Sequence, residues 1–320
     1  MTWLLTGGAG YIGAHVALAL RDAGRDVVVL DDLSSGDECR LPAGVPLVRA
    51  SVLDEAAVRS ALAGHQVTGV VHLAAKKAVG ESVADPLKYY RENVSGFEVL
   101  LRAMHDEGVD RMVFSSSAAV YGMPDVDIIT EDSPTRPINP YGETKLVCEW
   151  LLRDAGRAHG LTWTSLRYFN VAGAGEPTLA DRGANNLIPL VFRALDRGEP
   201  PQVFGADYPT PDGSCVRDYI HVGDLAEAHV AAADRLESGG LSGIYNVGRG
   251  EGASVFEVLT VVREVTGVDI EPKVVDRRPG DPARLVASAA AIERDLGWTA
   301  RRDLRDMVAS AWEGWGAGRA

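Results

Sequence analysis

Thr6-Gly7-Gly8-Ala9-Gly10-Tyr11-Ile12-Gly13 decides how the rest of the chain is read. It follows a short apolar run, Trp3-Leu4-Leu5, and leads into an amphipathic stretch from Ala14 to Ala23 that closes on Gly24. Gly8, Gly10 and Gly13 satisfy a GxGxxG spacing, and Gly7, Gly10 and Gly13 satisfy GxxGxxG. Between a strand and a helix, one such glycine permits a tight turn and a second lets the backbone approach a pyrophosphate. The third lets helix and strand pack closely. The helix N-terminus then offers free N–H groups and partial positive charge to the phosphates. Gly7, Gly10, Tyr11, Ile12 and Gly13 are therefore expected to line a dinucleotide site. An ordinary glycine turn is the plainer alternative, and the flanking strand and helix speak against it.

The next apolar run, Val27 to Leu30, delivers Asp31 and Asp32. An acid at this distance from the glycines meets ribose hydroxyls, and its charge repels the extra phosphate of NADP, so NAD is the expected cofactor. Further strand-like runs follow at Val70 to Leu73, Met112 to Phe114 and Thr164 to Phe169. Runs that are apolar on both faces suit a parallel sheet buried between helix layers. The predicted fold is α/β, a doubly wound parallel sheet of Rossmann type with a second, smaller α/β domain. We expect the NAD-binding domain over residues 1-172 and the second domain over 173-320, where Gly, Pro and Asn become frequent. The strand-then-helix pattern from Asp218 to Arg235 suggests that a segment near 216-236 returns to the first domain.

Composition narrows the function classes. The chain has 320 residues, 46% hydrophobic and 24% charged, ordinary for a globular protein. Its net charge of -13 argues against a nucleic-acid partner, whose binding rests on neutralising phosphates. No apolar run approaches the roughly 18 residues of a membrane span, and no leader peptide is visible, so a soluble, cytoplasmic protein is expected. Cys39, Cys148 and Cys215 are odd in number and widely spaced, which indicates neither a disulfide framework nor a thiolate metal site. No metal is expected.

Tyr141 and Lys145 stand four residues apart in a helix expected to start just after Asn139-Pro140. Residues so spaced share a helix face. An ammonium beside a phenol favours the phenolate and should lower the tyrosine pKa, making Tyr141 a usable general acid and base. Ser115-Ser116-Ser117 ends the run through Phe114, at the strand end where parallel sheets bind ligands. Simple polar capping of a strand end is the alternative for the serines.

Turn, serine, tyrosine and lysine together resemble the extended short-chain dehydrogenase/reductase superfamily. Within it the chain resembles the UDP-galactose 4-epimerases. The resemblance is carried by Lys77-Ala78-Val79-Gly80-Glu81-Ser82-Val83, Val120-Tyr121-Gly122, Arg167-Tyr168-Phe169-Asn170 and Asn185-Asn186-Leu187. Phe204-Gly205, Tyr208-Pro209-Thr210, Val216-Arg217-Asp218-Tyr219-Ile220-His221 and Arg277-Arg278-Pro279-Gly280-Asp281 extend it over nearly the whole chain. It implies an isomerase that holds NAD through the reaction. Tyr141 would take the proton of the sugar 4-hydroxyl while hydride passes to the nicotinamide. A 4-keto sugar would turn over, and hydride would return to its other face. Ser117 would share the hydrogen bond to the 4-oxygen, and Lys145 would bind the nicotinamide ribose. The resemblance also sets Ser51, Val52, Leu73, Ala74, Lys77 and Phe169 at the cofactor, with Lys77 reaching the substrate. Asn170, Asn186, Leu187, Phe204, Arg217, Tyr219, Arg278 and Asp281 would hold the UDP. Two arginines suit a pyrophosphate, although surface ion pairing would account for them too. The family is commonly homodimeric through paired helices, for which Leu87 to His105 and Tyr141 to His159 are the candidates.

Two departures stand out. Ala50-Ser51-Val52 occupies a place where the family often has Gly-Asp-Ile, so Ser51 should make a weaker adenine contact and NAD retention should be looser. Leu285 stands where a bulky Tyr is associated with exclusion of N-acetylated sugars and a smaller residue with their acceptance. Its intermediate size predicts some UDP-GlcNAc/UDP-GalNAc activity. Ser117-Ala118-Ala119 lacks the acid pair that a nucleotide-sugar 4,6-dehydratase needs. A UDP-pentose or UDP-uronate 4-epimerase, and a non-catalytic NAD-sensing regulator, are the remaining alternatives.

Overall fold

The structure, a computed structural model, describes residues 1–183, 186–240, 242–278 and 280–317. Asn185 and Pro279, within two of the motifs above, lie outside the described residues. The first half supplies β1 (Thr2–Thr6), β2 (Asp26–Asp31), β3 (Leu47–Arg49), β4 (Gly69–His72), β5 (Arg111–Ser117) and β6 (Thr162–Tyr168). Beyond them come β7 (Asn170–Ala172), β8 (Gln202–Phe204), β9 (Val216–His221), β10 (Gly243–Val247), β11 (Gly252–Ser254), β12 (Lys273–Val275) and β13 (Arg284–Leu285). Seven strands form one parallel sheet in the order β10-β6-β5-β4-β1-β2-β3.

Successive strand residues point to opposite faces, and here both faces are covered. Trp3, Leu5, Val27 and Val29 pack against Val16 and Leu20 and against Leu225, Ala228 and Ala232 of helix Val222–Glu237. Leu4, Val28, Leu30 and Val70 pack against Val58, Leu62, Phe97, Leu100 and Leu152 on the other side. This is why the runs read as continuous rather than alternating. Helix Tyr11–Asp22 ends as the sequence predicts, with Gly24 at φ +78° donating its N–H to the Arg21 carbonyl.

The chain leaves the main sheet at Phe169. β7 pairs with β9 in a second sheet ordered β11-β9-β13, and β8 pairs with β12. A separate apolar core of Phe192, Val258, Val262, Met307 and Val308 supports these strands. The pattern from Asp218 to Arg235 divides between the layers. β9 belongs to the second sheet, whereas helix Val222–Glu237 packs on the core side of helix Tyr11–Asp22. β10 then joins the main sheet beside β6, an edge strand that the sequence reading did not pick out. Strand order reverses between β1 and β4, so their C-terminal ends part and leave a crevice where ligands bind in such sheets.

Candidate active site

The glycine turn occupies that crevice. Gly7, at φ +74°, is so close to the chain after β4 that a Cβ on it would lie 2.7 Å from the Ala74 nitrogen. A Cβ on Gly13 would lie 2.2 Å from the Gly7 carbonyl oxygen and 2.7 Å from Gly8 Cα. At Gly10 the nearest atom would be 3.4 Å away. Two glycines are thus required by the packing of the turn and one keeps its outer surface clear, a cradle shaped for backbone approach to phosphates. The residues present fit NAD.

A cleft of about 330 Å³ runs from this turn across the strand ends. Gly7, Gly10, Tyr11, Ile12, Gly13, Asp31, Asp32, Ser51, Val52, Leu73, Ala74, Lys77, Tyr141 and Lys145 all line it. Asn186, expected at the UDP, also lines it, and its Nδ2 donates to Asp181 at 2.7 Å. Phe169 does not. It is buried with Val120, Tyr121 and Leu146 beside the cleft. Asp31 has its oxygens engaged by the Ala9 N–H (3.0 Å) and the Leu33 N–H (2.8 Å). It therefore ties the end of β2 to the glycine turn, and it holds Leu33 in a left-handed conformation at φ 58°. The Ser51 hydroxyl accepts the Leu53 N–H at 3.2 Å.

Asn139 caps the helix Pro140–His159, accepting the Gly142 N–H at 2.9 Å, with Pro140 in the first turn. This places Tyr141 in the first turn, beside the end of β5. Ser117 accepts the Ala119 N–H at 3.1 Å, and its hydroxyl acts to lower the pKa of the Tyr141 phenol. Lys145 is buried. Its Nζ donates to the Ser115 carbonyl at 2.8 Å and lies 5.0 Å above the Phe114 ring. The expected lowering of the Tyr141 pKa by Lys145 is corrected here. Burial raises the phenol above its ordinary value, and the Ser117 hydrogen bond only partly opposes this. Lys145 itself is pushed down to about 8 by burial, with its ammonium committed to a main-chain oxygen rather than the phenol.

The other expected substrate residues lie on the second sheet, on β8 and in the helix and loops that follow residue 172. Arg217 on β9 donates to Asp281 at 3.3 Å, and Leu285 is its neighbour in the β9–β13 register. The Arg278 guanidinium lies 3.7 Å from the centre of the Phe204 ring. Asn170 is opposite Tyr219 in the β7–β9 pairing. Leu187 opens the helix Leu187–Arg197. Leu285 also packs on the cluster that contains Phe169. Arg217 thus has an acidic partner and Arg278 an aromatic one.

Asn93, Asp218 and Glu149 support the surroundings of the cleft and were not singled out by reading the sequence. Asn93, in a π-helical turn, holds the Lys76 backbone and donates to the Thr144 hydroxyl at 3.1 Å. Asp218, inside a motif already quoted, accepts three main-chain N–H groups, from Arg249, Gly250 and Ala287, yet burial pushes it up to about 6. Glu149 pairs with Arg167 in the interior, and its spacing of four from Lys145 was the available signal. His72 is a core residue, bonded to the Thr6 hydroxyl at 2.7 Å and pushed down to about 3 by burial. Cys148 is buried and pushed up to about 12, and His221 caps the helix that follows it, accepting the Gly223 N–H. Among the described residues, no helix is long and apolar enough to cross a membrane.

The model of the NAD dependent epimerase/dehydratase family matches residues 3–248. A UDP-glucose 4-epimerase of Azospirillum brasilense is 50% identical over 317 residues, covering 97% of this chain and 91% of that protein. A crystal structure of a UDP-glucose 4-epimerase aligns with a TM-score of 0.96 at 43% identity, covering 100% of this chain and 98% of the other. Another, from Stenotrophomonas maltophila with bound NAD and formylated UDP-arabinopyranose, gives a TM-score of 0.95 at 41% identity, covering 100% and 99%. With its glycine cradle, its Ser–Tyr–Lys constellation and a match spanning the main sheet, the chain belongs to the NAD dependent epimerase/dehydratase family.

Proposed function

We propose that the protein is an NAD-dependent isomerase that inverts C4 of a UDP-hexose, interconverting UDP-glucose and UDP-galactose. The observation that carries this reading is that Tyr141 and Lys145 line the same cleft as the glycine turn. The full-length similarity to UDP-glucose 4-epimerases supports it. NAD, when bound, supplies a hydride acceptor that returns what it takes. Gly7, Gly10, Tyr11, Ile12 and Gly13 would hold its pyrophosphate, Asp31 and Asp32 its adenosine ribose, and Ser51 and Val52 its adenine end. Leu73, Ala74 and Lys77 would flank the rest, with Phe169 supporting the cleft from behind, and Lys145 would hold the nicotinamide ribose. The Tyr141 phenolate takes the proton of the 4-hydroxyl as the 4-oxo sugar forms, and the phenol returns it when the hydroxyl is remade. Ser117 holds the 4-oxygen in both directions.

Arg217 and Arg278 would neutralise the diphosphate and Asp281 would accept from the uridine ribose, with Phe204, Asn170, Asn186, Leu187 and Tyr219 enclosing the nucleotide. In this reading residues 1-172, joined by 222–247, form the cofactor unit, and the remainder after 172 forms the nucleotide-sugar unit. A cytoplasmic homodimer is part of the proposal. Leu87 and Trp150, 80% and 48% exposed near helices Gly96–Asp106 and Pro140–His159, supply apolar surface for a second copy.

Incubation with UDP-galactose, UDP-GalNAc, UDP-arabinose and UDP-galacturonate without added NAD tests substrate and cofactor retention together. Conversion of UDP-galactose to UDP-glucose is expected. Activity confined to the pentose or the uronate would replace the hexose assignment, and no conversion at all would favour an NAD-binding regulator. Leu285 should leave room for an acetamido group, so UDP-GalNAc should also turn over. Leu285→Tyr should then lower kcat/KM for UDP-GalNAc about tenfold while sparing UDP-galactose. Undetectable UDP-GalNAc conversion by the unaltered protein contradicts that role.

A further inference from the structure

Three consecutive residues of β5 meet three residues of one helical stripe. Tyr141, Lys145 and Glu149 stand four apart along one side of helix Pro140–His159. The Ser117 hydroxyl acts on the Tyr141 phenol, and the Ser115 carbonyl accepts from Lys145 at 2.8 Å. Between them, the Ser116 hydroxyl donates to Glu149 Oε1 at 2.6 Å. We propose that Glu149, gripped by Arg167, is a positioning residue that sets where Tyr141 and Lys145 stand against β5. The inference rests on the catalytic reading above.

The grip is complete on every side. Glu149 is 3% exposed and Arg167 4%. Arg167 Nε donates to Oε1 at 2.9 Å and Nη2 to Oε2 at 2.6 Å, a two-pronged contact that fixes orientation as well as distance. Ser165 adds a hydrogen bond to Oε1 at 3.2 Å. Ser116 and Arg167 are partners in the β5–β6 register, so one carboxylate joins the helix to two strands one helical turn beyond Lys145. Arg167 is held at its far end as well. Nη1 donates to the Tyr121 hydroxyl at 2.9 Å, and that hydroxyl donates to Asn246 Oδ1 on β10 at 2.7 Å. Apolar side chains of similar volume often stabilise an interior as well as a buried ion pair does. They would not fix the helix at a single depth and rotation against β5.

Glu149 also acts on Lys145 through charge. Burial pushes Lys145 down, while Cys148 and Glu149 on its own helix oppose this. The other groups facing the ammonium are neutral: the Ser115 carbonyl and Phe114 ring on β5, and His72 on β4, which burial keeps uncharged. Glu149 is thus the one carboxylate among the groups named here that favours the charged lysine.

Three variants of the NAD-loaded protein test the proposal: Ser116→Ala, Glu149→Gln, and Glu149→Gln combined with Arg167→Gln. The double variant avoids an unpaired buried guanidinium, and Ser116→Ala keeps both charges. Displacing the acid–base group should lower kcat by about 30-fold in the Glu149 variants and about 5-fold in Ser116→Ala, with KM for UDP-galactose within about 3-fold. Only five lysines are present, so ¹³Cε-lysine labelling resolves Lys145, identified by its loss in Lys145→Arg. Its titration midpoint should fall by about one pH unit in Glu149→Gln. A kcat within about 2-fold of the unaltered protein in folded Ser116→Ala and double variants, or an unmoved Lys145 midpoint in Glu149→Gln, overturns the inference. If the unaltered protein epimerises no UDP-sugar, the proposed function fails, and the lysine titration alone decides this one.

Discussion

Tyr141→Phe should lower kcat for UDP-galactose epimerisation by about 10³-fold while leaving KM and NAD content close to those of the unaltered protein. In the proposed mechanism the phenol carries the proton, so its loss should remove chemistry and leave the cleft standing. Ser117 would keep its bond to the Ala119 N–H, so the end of β5 should hold its shape. The sign of the pH dependence follows from burial. The phenol is held above its ordinary pKa, so the reactive phenolate is scarce at low pH. The rate of the unaltered protein should therefore climb with pH across the neutral range, and that limb should vanish in the residual activity of Tyr141→Phe. Equal losses in kcat and NAD content would mean instead that Tyr141 serves the architecture of the cleft.

The second large effect is expected at Gly13. Gly13→Ala puts a Cβ where the Gly7 carbonyl oxygen would be 2.2 Å away and Gly8 Cα 2.7 Å away. Both obstacles are backbone, so the helix must separate from the turn. Overpacking of this kind costs about 1–3 kcal/mol. The larger consequence is for the phosphate site, because the N–H groups at the helix start would no longer converge on one point. The purified variant should carry NAD at well under a tenth of the unaltered protein's stoichiometry, with activity lost in proportion and a modest fall in Tm. Gly10→Ala, whose Cβ would meet nothing closer than 3.4 Å inside the protein, should be nearly neutral for folding and weaken NAD alone. If Gly13→Ala retained NAD fully, the cradle would not be the phosphate site.

The parts of this molecule that are legible in its sequence are those set by near neighbours. β1, β2, β4 and β5 read out because their residues are buried on both faces, and the glycine turn reads out because its spacing follows from packing within one strand–turn–helix unit. β10 does not, since it is a five-residue edge strand containing Gly243 and Asn246, and its partner β6 lies far back in the chain. The strand-then-helix pattern from Asp218 to Arg235 did signal a return to the first domain, but it took β9 along, whereas helix Val222–Glu237 and β10 are what complete the first layer. The Tyr–Lys spacing correctly placed both residues in one cleft and misjudged their electrostatics. Lys145 spends its charge on the Ser115 carbonyl, and burial of the phenol exceeds any help it receives. Neither fact is local. The Glu149–Arg167 pair was hidden because it needs β5 and β6 side by side, even though the stripe from Tyr141 through Lys145 to Glu149 was visible.

In the proposed mechanism one sugar carbon is inverted by a hydride that leaves and returns within one active site. Incubation of UDP-galactose deuterated at C4, in ordinary water and without added NAD, tests it most directly by NMR of the UDP-glucose formed. Conversion with the deuterium retained at C4 is expected. Conversion with the label washed out to solvent, or no conversion at all, would contradict it.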